Sequence, residues 1–195
     1  MSEVFQDRTQ AGKKLASRLS SRKKDKNLAV VAIPRGGVVV AYEISNSLHL
    51  PLLPLVVKKI PTPGVPELAS GAMAPEGLFL GEKSKSVERL INKRIKRYGG
   101  LPDFRNKNII LVDDGIATGA TIETAISYLK EKNAGEITVA VPVVSKFEFR
   151  KIKKLVSNVV ALKIPETFDA IGEFYRDFSQ VSDAKVIQLL ERSLL

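Results

Sequence analysis

Short apolar runs alternate with amphipathic stretches along most of the chain. Continuous apolar runs of strand length occur at residues 27–34, 51–60, 109–112, 136–144 and 158–165. These runs are short and rich in Val, Ile or Leu, which favours buried strands. Alternation of such strands with helices predicts an α/β protein built on an open, Rossmann-like parallel sheet with helices on both faces.

Amphipathic stretches between these runs predict the helices. The first covers residues 5–21, with Asp7 or Thr9 as its N-cap. Further helices are expected in VVVAYEISNSL, SKSVERLINKRIKRYGG, IETAISYLKEK, SKFEFRKIKKLV and DAKVIQLLERSLL. Gly99 and Gly100 close the third of these helices, and glycine is the preferred residue just beyond a helix C-terminus.

Two segments break the alternation. Residues 61–81 hold four of the ten prolines and four of the thirteen glycines, a composition typical of loops. A loop of about 20 residues in a compact domain is usually a lid or a binding loop, or else disordered. Residues 163–183 concentrate aromatic side chains, among them Phe168, Tyr175 and Phe178. The sequence therefore predicts two irregular segments attached to the sheet.

Composition excludes several kinds of active site. The 195 residues are 44% hydrophobic, which is enough for one domain with a large buried core. The chain has no cysteine, so disulfides, thiolate metal sites and cysteine nucleophiles are excluded. A Ser-His-Asp triad or a multi-histidine metal site would depend on His49, the single histidine, for which a packing role is the simpler interpretation.

The net charge of +10 and the pI of about 9.8 favour anionic partners. Nucleic acid, an acidic lipid surface and a phosphorylated small molecule all fit, and a high lysine content can also reflect adaptation to high temperature. The N-terminal sequence MSEVFQDRTQ has no apolar leader, and no segment approaches the roughly 18 apolar residues of a membrane span. We therefore expect a cytoplasmic protein without a membrane partner.

The stretch IILVDDGIATGAT at residues 109–121 carries the strongest chemical signal. Its apolar strand ends at Asp113 and Asp114, and a loop of small and hydroxyl residues then leads into a helix N-terminus. Unpaired backbone N–H groups at such a terminus bind anions. The Walker A pattern is absent, so a phosphate here is not held as in P-loop nucleotide hydrolases. Capping of the next helix is the simpler role for either aspartate.

Two other predicted strands also end in polar groups. The strand at 27–34 is followed by Arg35, Gly36 and Gly37. The strand at 51–60 ends in the cationic pair Lys58 and Lys59. Taken singly, a glycine pair is usually a turn and a lysine pair a solvated strand end. Because the carboxyl ends of parallel strands open into one crevice, all three strand ends should face the same ligand. A ligand with phosphates at two ends and hydroxyls between them would satisfy all three.

These motifs resemble those of a known family. The sequence VDDGIATGAT at residues 112–121 closely resembles the phosphoribosyl-pyrophosphate (PRPP) binding motif of type I phosphoribosyltransferases. PRGG at residues 34–37 resembles the pyrophosphate loop of that family, and the lysine pair resembles the basic strand end of its adenine-type members. The resemblance covers a core of about residues 28–162, and TFDAIGEFYRDFSQVSD near the C-terminus extends it to the whole chain.

The resemblance implies a single domain over residues 1–195 with the type I phosphoribosyltransferase fold. Residues 61–81 would form a flexible loop over the reacting centre. Residues 163–183 would form a small C-terminal hood that selects the acceptor, with the N-terminal helix at 7–21 as a candidate part of it. By position, the peptide bond between Pro34 and Arg35 would be cis. A homodimer would also fit the resemblance.

The resemblance also implies roles for the site residues. Asp113 and Asp114 would bind the ribose 2- and 3-hydroxyls and stabilise the cation-like ring, and with Arg35 they are the expected catalytic residues. The 5-phosphate would bind to Ala117, Thr118, Gly119, Ala120 and Thr121. The pyrophosphate would bind to Arg35, Gly36, Gly37, Lys58 and Lys59. The cofactor Mg²⁺ would be held mainly by PRPP and water, with no direct protein ligand.

The acceptor is the least defined part of this interpretation. Ala117 stands where family members that use 6-oxopurines typically carry an acid, which disfavours hypoxanthine, guanine and xanthine. Phe168, Tyr175 or Phe178 could stack on an acceptor base, although packing within the hood is the simpler role for each.

The expected function is Mg²⁺-dependent transfer of a 5-phosphoribosyl group from PRPP to a nitrogenous base or related acceptor, with release of pyrophosphate. The alternative is a PRPP-sensing regulator of the same fold that binds nucleic acid. The net charge and the basic helices in SKSVERLINKRIKR and KFEFRKIKK motivate that alternative, although such charges are usually a solvated helix face.

Overall fold

The computed structural model describes residues 4–62, 65–81 and 83–193. Its strands are β1 (Leu28–Ala32), β2 (Leu52–Pro54), β3 (Lys58–Thr62), β4 (Val65–Met73), β5 (Phe79–Leu80), β6 (Asn108–Val112), β7 (Ile137–Val143) and β8 (Asn158–Lys163). Its helices are α1 (Arg8–Arg18), α2 (Gly36–Leu48), α3 (Lys85–Arg97), α4 (Ala120–Glu131), α5 (Lys146–Ile152) and α6 (Asp183–Arg192). Short 3-10 turns lie at Ser20–Lys24, Pro75–Gly77 and Ile171–Phe174.

Five parallel strands form the central sheet in the order β2-β1-β6-β7-β8. Strands β1 and β6 pair in register, from Leu28 opposite Asn108 to Ala32 opposite Val112. Their carboxyl ends are therefore neighbours at the same edge of the sheet. This arrangement confirms the predicted α/β fold with an open parallel sheet.

Both faces of this sheet are buried. Along β1, Val30 contributes to one apolar cluster with residues of α1, α2 and α6, whereas Val31 contributes to a second cluster with residues of α4. Along β6, Ile110 belongs to the first cluster and Leu111 to the second. Successive side chains of a strand point to opposite faces, so a strand covered on both sides needs the continuous apolar runs seen in the sequence.

The apolar run at 51–60 is divided between two sheets, which corrects its prediction as one strand. Strand β2 ends at Pro54, and the ladder closes where the Leu55 N–H donates to the Ala32 carbonyl at 2.9 Å. Proline is tolerated at position 54 because β2 is an edge strand, whose outer side needs no N–H donor. Lys58 and Lys59 consequently begin β3 of the second sheet and do not end a parallel strand.

The expectation of an irregular loop at 61–81 is also corrected. Strands β3, β4 and β5 form an antiparallel sheet, with residues 63–64 outside the described residues. Its glycines permit close strand approach, because a Cβ atom at Gly71 would overlap the Leu80 carbonyl. Pro61 coincides with shifts in the strand register. The prolines and glycines of residues 61–81 therefore belong to an irregular antiparallel sheet. The role of this segment as a lid stays a prediction.

The N-terminal segment is joined to the predicted hood. The Phe5 N–H donates to the Phe174 carbonyl at 2.8 Å, and the Arg176 N–H donates to the Phe5 carbonyl at 2.8 Å. Helix α1 follows, with Asp7 as its N-cap, as one of the two predicted caps. Over the described residues, no helix combines the length and hydropathy that crossing a bilayer would need.

We expect Leu111→Ala to lower the free energy of unfolding by about 2–5 kcal/mol, because it would leave a cavity in a fully buried strand. Equilibrium unfolding in guanidinium chloride measures this loss. Leu101→Ala is the matched control, since Leu101 is 39% exposed and its truncation should change stability by about 0.5 kcal/mol or less. Equal losses in the two variants would contradict the placement of β6 at the centre of the core.

Candidate active site

A cavity of about 650 Å³ lies at the carboxyl edge of the parallel sheet. Most of the predicted site residues line it, namely Arg35, Gly36, Lys58, Lys59, Asp113, Asp114, Ala117, Thr118, Gly119 and Thr121. Gly37 and Ala120 lie within the first turns of α2 and α4, the two helices that begin beside the cavity. The three groups of polar residues that the sequence analysis singled out thus surround one cavity.

Asp113 and Asp114 lie side by side at the end of β6 in different environments. The Asp114 N–H donates to Oδ1 of Asp113 at 2.8 Å. Burial raises the pKa of the Asp113 carboxyl well above its ordinary value, and the neighbouring Asp114 carboxylate raises it further. Asp114 instead accepts a hydrogen bond on Oδ2 from Nε of Arg8, at 2.7 Å. The two acids are therefore unequal before any ligand binds.

Arg8 is a site residue that the sequence interpretation missed. It is the first residue of α1 and is 9% exposed. Its Nη1 donates to the Ser179 carbonyl at 2.9 Å, and its guanidinium carbon lies 3.8 Å from the centre of the Phe178 ring. A cation at a helix N-terminus opposes the helix dipole. This unfavourable position was the one feature of the sequence that could have indicated a compensating partner for Arg8 outside helix α1.

The PRGG loop packs directly against these acids. The Pro34–Arg35 peptide is cis, as the family resemblance implies. A Cβ atom at Gly36 would overlap Oδ2 of Asp114, and one at Gly37 would lie 3.0 Å from the Asp113 Cα. No side-chain cap occupies the N-terminus of α2, where backbone N–H groups attract anions. Glycine at 36 and 37 therefore lets an anion-binding terminus lie next to the two carboxyl groups.

A second helix N-terminus lies on the other side of the acids. Helix α4 begins after Gly119, which has a φ of 71° and no side-chain cap. Thr118 and Thr121 line the cavity beside this terminus, so two hydroxyls accompany its backbone N–H groups. Glycine adopts this left-handed conformation without strain. The site therefore offers two anion-binding regions separated by two carboxyl groups.

Two further acids lie close to the loop before α4. A Cβ atom at Gly119 would overlap Oε2 of Glu148 and would lie 2.7 Å from Oε1 of Glu123. Lys151 pairs with Glu123 at 2.6 Å, and burial raises the pKa of Glu148. These acids escaped the sequence interpretation because they come from helices α4 and α5, whose charges resemble a solvated face. A side chain at position 119 would displace these flexible carboxylate ends, whereas the φ of 71° is the stronger reason for glycine there.

Lys58, Lys59 and Arg94 supply the cationic wall. Burial lowers the pKa of Lys58, and the guanidinium groups of Arg94 and Arg35 lower it further. Arg94 comes from α3, which also contributes the cavity residues Ser86, Val87 and Leu90. Positions 86, 87, 90 and 94 have the spacing of one helix face. That spacing was the feature of the sequence that could have predicted the contribution of α3 to the cavity. The stretch around Arg94 was interpreted as a basic solvated helix, so its inward-facing arginine was missed.

The predicted acceptor-binding aromatics do not line this cavity. Tyr175 donates its hydroxyl hydrogen to the Asp114 carbonyl at 2.7 Å, and Phe178 stacks on Tyr175 with ring centres 5.0 Å apart. Phe168 packs edge-on against Phe174. Ile171 is the residue of the hood segment in the cavity lining. The three aromatic rings thus pack within the hood and behind Asp114, the simpler of the two roles predicted for them.

Comparisons with known proteins agree with this geometry. A family model described as "Phosphoribosyl transferase domain" matches residues 2–178. A Mycobacterium tuberculosis protein, provisionally assigned to the phosphoribosyl transferases, is 34% identical over 210 residues, which cover 98% of this chain and 47% of that protein. The chain therefore spans about half the length of that relative.

Solved structures show the same fold. The crystal structure of TT1426 from Thermus thermophilus has a TM-score of 0.82 and 33% identity, and the match covers 97% of this chain and 98% of that one. A purine phosphoribosyltransferase from Pyrococcus horikoshii has a TM-score of 0.51 and 19% identity, over 93% of this chain and 99% of that one. The likeness to the Pyrococcus horikoshii enzyme is a likeness of fold alone.

We expect Gly36→Ala to weaken the binding of the anion pyrophosphate at least tenfold in calorimetric titration, because the added methyl group would displace the Asp114 carboxylate beside the N-terminus of α2. Gly100→Ala is the control. Gly100 has a φ of 102° in open space, so alanine there strains the backbone far from the cavity. Equal binding by Gly36→Ala and wild type would show that the close approach of residue 36 to Asp114 does not matter.

We expect Asp113→Asn to be more stable than wild type at neutral pH. The native pKa of Asp113 is raised above its unfolded value of about 3.9, so the wild type loses stability as pH rises from that value through the native pKa. Asparagine does not titrate. The difference in unfolding free energy, measured in guanidinium chloride from pH 4 to pH 8, should grow in favour of the variant. A difference independent of pH would contradict the raised pKa.

Proposed function

Since this chain belongs to the phosphoribosyl transferase family, we propose that it transfers a 5-phosphoribosyl group from PRPP to a nitrogenous acceptor and releases pyrophosphate. One observation carries the proposal: the N-termini of α2 and α4 flank Asp113 and Asp114 in a single cavity. PRPP has the matching order of groups, with a phosphate, a ribose diol and a pyrophosphate. This transfer would make the protein a pentosyltransferase.

The 5-phosphate would bind at the N-terminus of α4. Backbone N–H groups there have no side-chain cap, and the hydroxyls of Thr118 and Thr121 lie beside them. The helix dipole adds to the attraction for a negative phosphate. Anchoring this group would fix the ribose ring over the end of β6.

The pyrophosphate would bind at the N-terminus of α2, with Arg35, Lys58 and Lys59. These cations line the same cavity as the threonine loop. As the bond between ribose C1 and the pyrophosphate oxygen breaks, negative charge grows on the leaving group. Fixed cations and backbone dipoles that face this position would stabilise the transition state more than the ground state.

Asp113 and Asp114 would bind the ribose 2- and 3-hydroxyls. Their unequal environments suggest a division of labour, in which the Arg8-paired Asp114 is the principal acceptor and stabilises the cation-like ring. A hydrogen bond to a charged group contributes about 1.5–3 kcal/mol. A new bond from C1 to the acceptor nitrogen would complete the transfer.

Mg²⁺ fits this site as a companion of PRPP. The acids in the cavity lining are Asp113 and Asp114, and the described residues include no group of three or more acids or histidines placed to hold a metal. Mg²⁺ commonly keeps several waters and binds substrate phosphates. Held by pyrophosphate and water, it would neutralise the leaving group, while the protein side chains position the sugar.

The acceptor would enter beside Ala117 and Ile171. Ala117 offers no acid to take a proton from a 6-oxopurine, so hypoxanthine, guanine and xanthine are poor candidates. Ile171 and Leu90 offer apolar surface to a flat heterocycle. The antiparallel sheet of β3 to β5 would exclude water, which competes as a nucleophile. A cytoplasmic location and a homodimer are parts of the same proposal.

We expect Asp114→Asn and Arg35→Ala each to reduce Mg²⁺-dependent pyrophosphate release at least a hundredfold while remaining folded. The assay uses PRPP, Mg²⁺ and a panel of purines, pyrimidines and other nitrogenous acceptors. Arg18→Met is the matched control, because Arg18 is exposed at the far end of α1.

Unchanged turnover in both site variants would contradict the proposal. Wild-type protein that binds PRPP but releases no pyrophosphate with any acceptor would instead favour the nucleic-acid-binding regulator. Nucleic-acid binding by such a regulator would weaken steeply with added salt.

A further inference from the structure

Two segments that are far apart in sequence converge on Asp114. Arg8, near the N-terminus, donates to Asp114 Oδ2 at 2.7 Å from 106 positions away in sequence. Tyr175, in the hood, donates to the Asp114 carbonyl at 2.7 Å. Phe178 and the Ser179 carbonyl hold the guanidinium group of Arg8 itself. The carboxylate and the backbone of one residue are thus fixed by segments outside the parallel sheet.

We propose that Arg8 is a positioning residue for ribose recognition, which it achieves by fixing the charge and orientation of Asp114. This inference rests on the proposed function. Arg8 donates to Oδ2 of Asp114, and a carboxylate held in one orientation by this bond would be ready to accept a further hydrogen bond from a ribose hydroxyl. Arg8 is not among the cavity-lining residues, so it would act through Asp114 and not on the sugar directly.

The geometry around Arg8 is more specific than that of an ordinary ion pair. The side chains of Arg8 and Asp114 are 10% and 14% exposed, so solvent screens this pair little. Nε and Nη1 donate in two directions, and the flat guanidinium group lies on the Phe178 ring. Lysine has neither the planar fork nor the same stacking surface. A lysine at position 8 should therefore restore charge but only part of the orientation.

The packing at Gly36 links this pair to the pyrophosphate side of the cavity. A Cβ atom at residue 36 would overlap Asp114 Oδ2 and lie 2.9 Å from Nε of Arg8. The hydrogen-bonded atoms thus lie directly against the turn that begins α2. If Arg8 were absent, the Asp114 carboxylate would lose the donor that holds it in this narrow space, and ribose hydroxyls would meet a less ordered acceptor.

The test compares the binding of two sugar phosphates that differ in one hydroxyl. Ribose 5-phosphate and 2-deoxyribose 5-phosphate are titrated into wild type, Arg8→Met, Arg8→Lys and Arg18→Met, with affinities measured by calorimetry or by NMR. Wild type and Arg18→Met should prefer the ribose compound. Arg8→Met should lower that preference about tenfold with little change for the deoxy compound, and Arg8→Lys should lie between.

A double-mutant cycle separates positioning from general stability. In the Asp114→Asn background, Arg8→Met should cause no further loss of preference, because its effect passes through Asp114. If Arg8→Met does not fold, Arg8→Lys supplies the same comparison, with circular dichroism as the check on folding.

Equal weakening of both sugar phosphates by Arg8→Met would overturn the inference and assign Arg8 a purely structural role. Equal binding of both sugars by wild type would overturn it as well, while leaving the phosphate site intact. Failure of wild type to bind either sugar phosphate or PRPP would instead overturn the proposed function, so the two failures are distinguishable.

Discussion

The parallel pairing of β1 with β6 is the constraint on which the site depends. Ala32 lies opposite Val112, and the Ile33 N–H donates to the Val112 carbonyl at 2.9 Å. This register brings the PRGG turn against the two aspartates that follow β6. A shift of one residue would turn the side chains of the shifted strand to the opposite faces, so the apolar clusters on each side of the sheet also fix the geometry of the site.

The site combines like and opposite charges in a small volume. Asp113 and Asp114 are adjacent, yet one is desolvated and the other pairs with Arg8. Burial raises the pKa of Asp113 because it disfavours the charged carboxylate, whereas the Asp114 carboxylate accepts a hydrogen bond from a guanidinium group. The cations that line the same cavity include Lys58 from the antiparallel sheet and Arg94 from α3.

Local sequence patterns predicted the parallel sheet and the residues of its strand ends, because both depend on short-range features. Apolar runs marked β1 and β6, and Asp113 with its following loop marked a strand-to-helix turn. The same logic failed at 51–60, where one apolar run is divided between two sheets, and at 61–81, where glycines allow close strand packing. Arg8 and Glu148 were missed because only tertiary contacts bring them near the site, and no periodicity records those contacts.

The long separations within the site bear on how the protein is made. Arg8 donates to the Ser179 carbonyl across 171 positions, so this contact cannot form until residue 179 has been synthesised. Helix α1 leaves the ribosome before the parallel sheet, and the strands of that sheet can begin to pair before the hood emerges. A nascent chain would therefore have a sheet core before the guanidinium group of Arg8 has both of its partners. Completion of the cavity follows formation of the core in biosynthesis, because segments that precede and follow the sheet in sequence meet at Asp114.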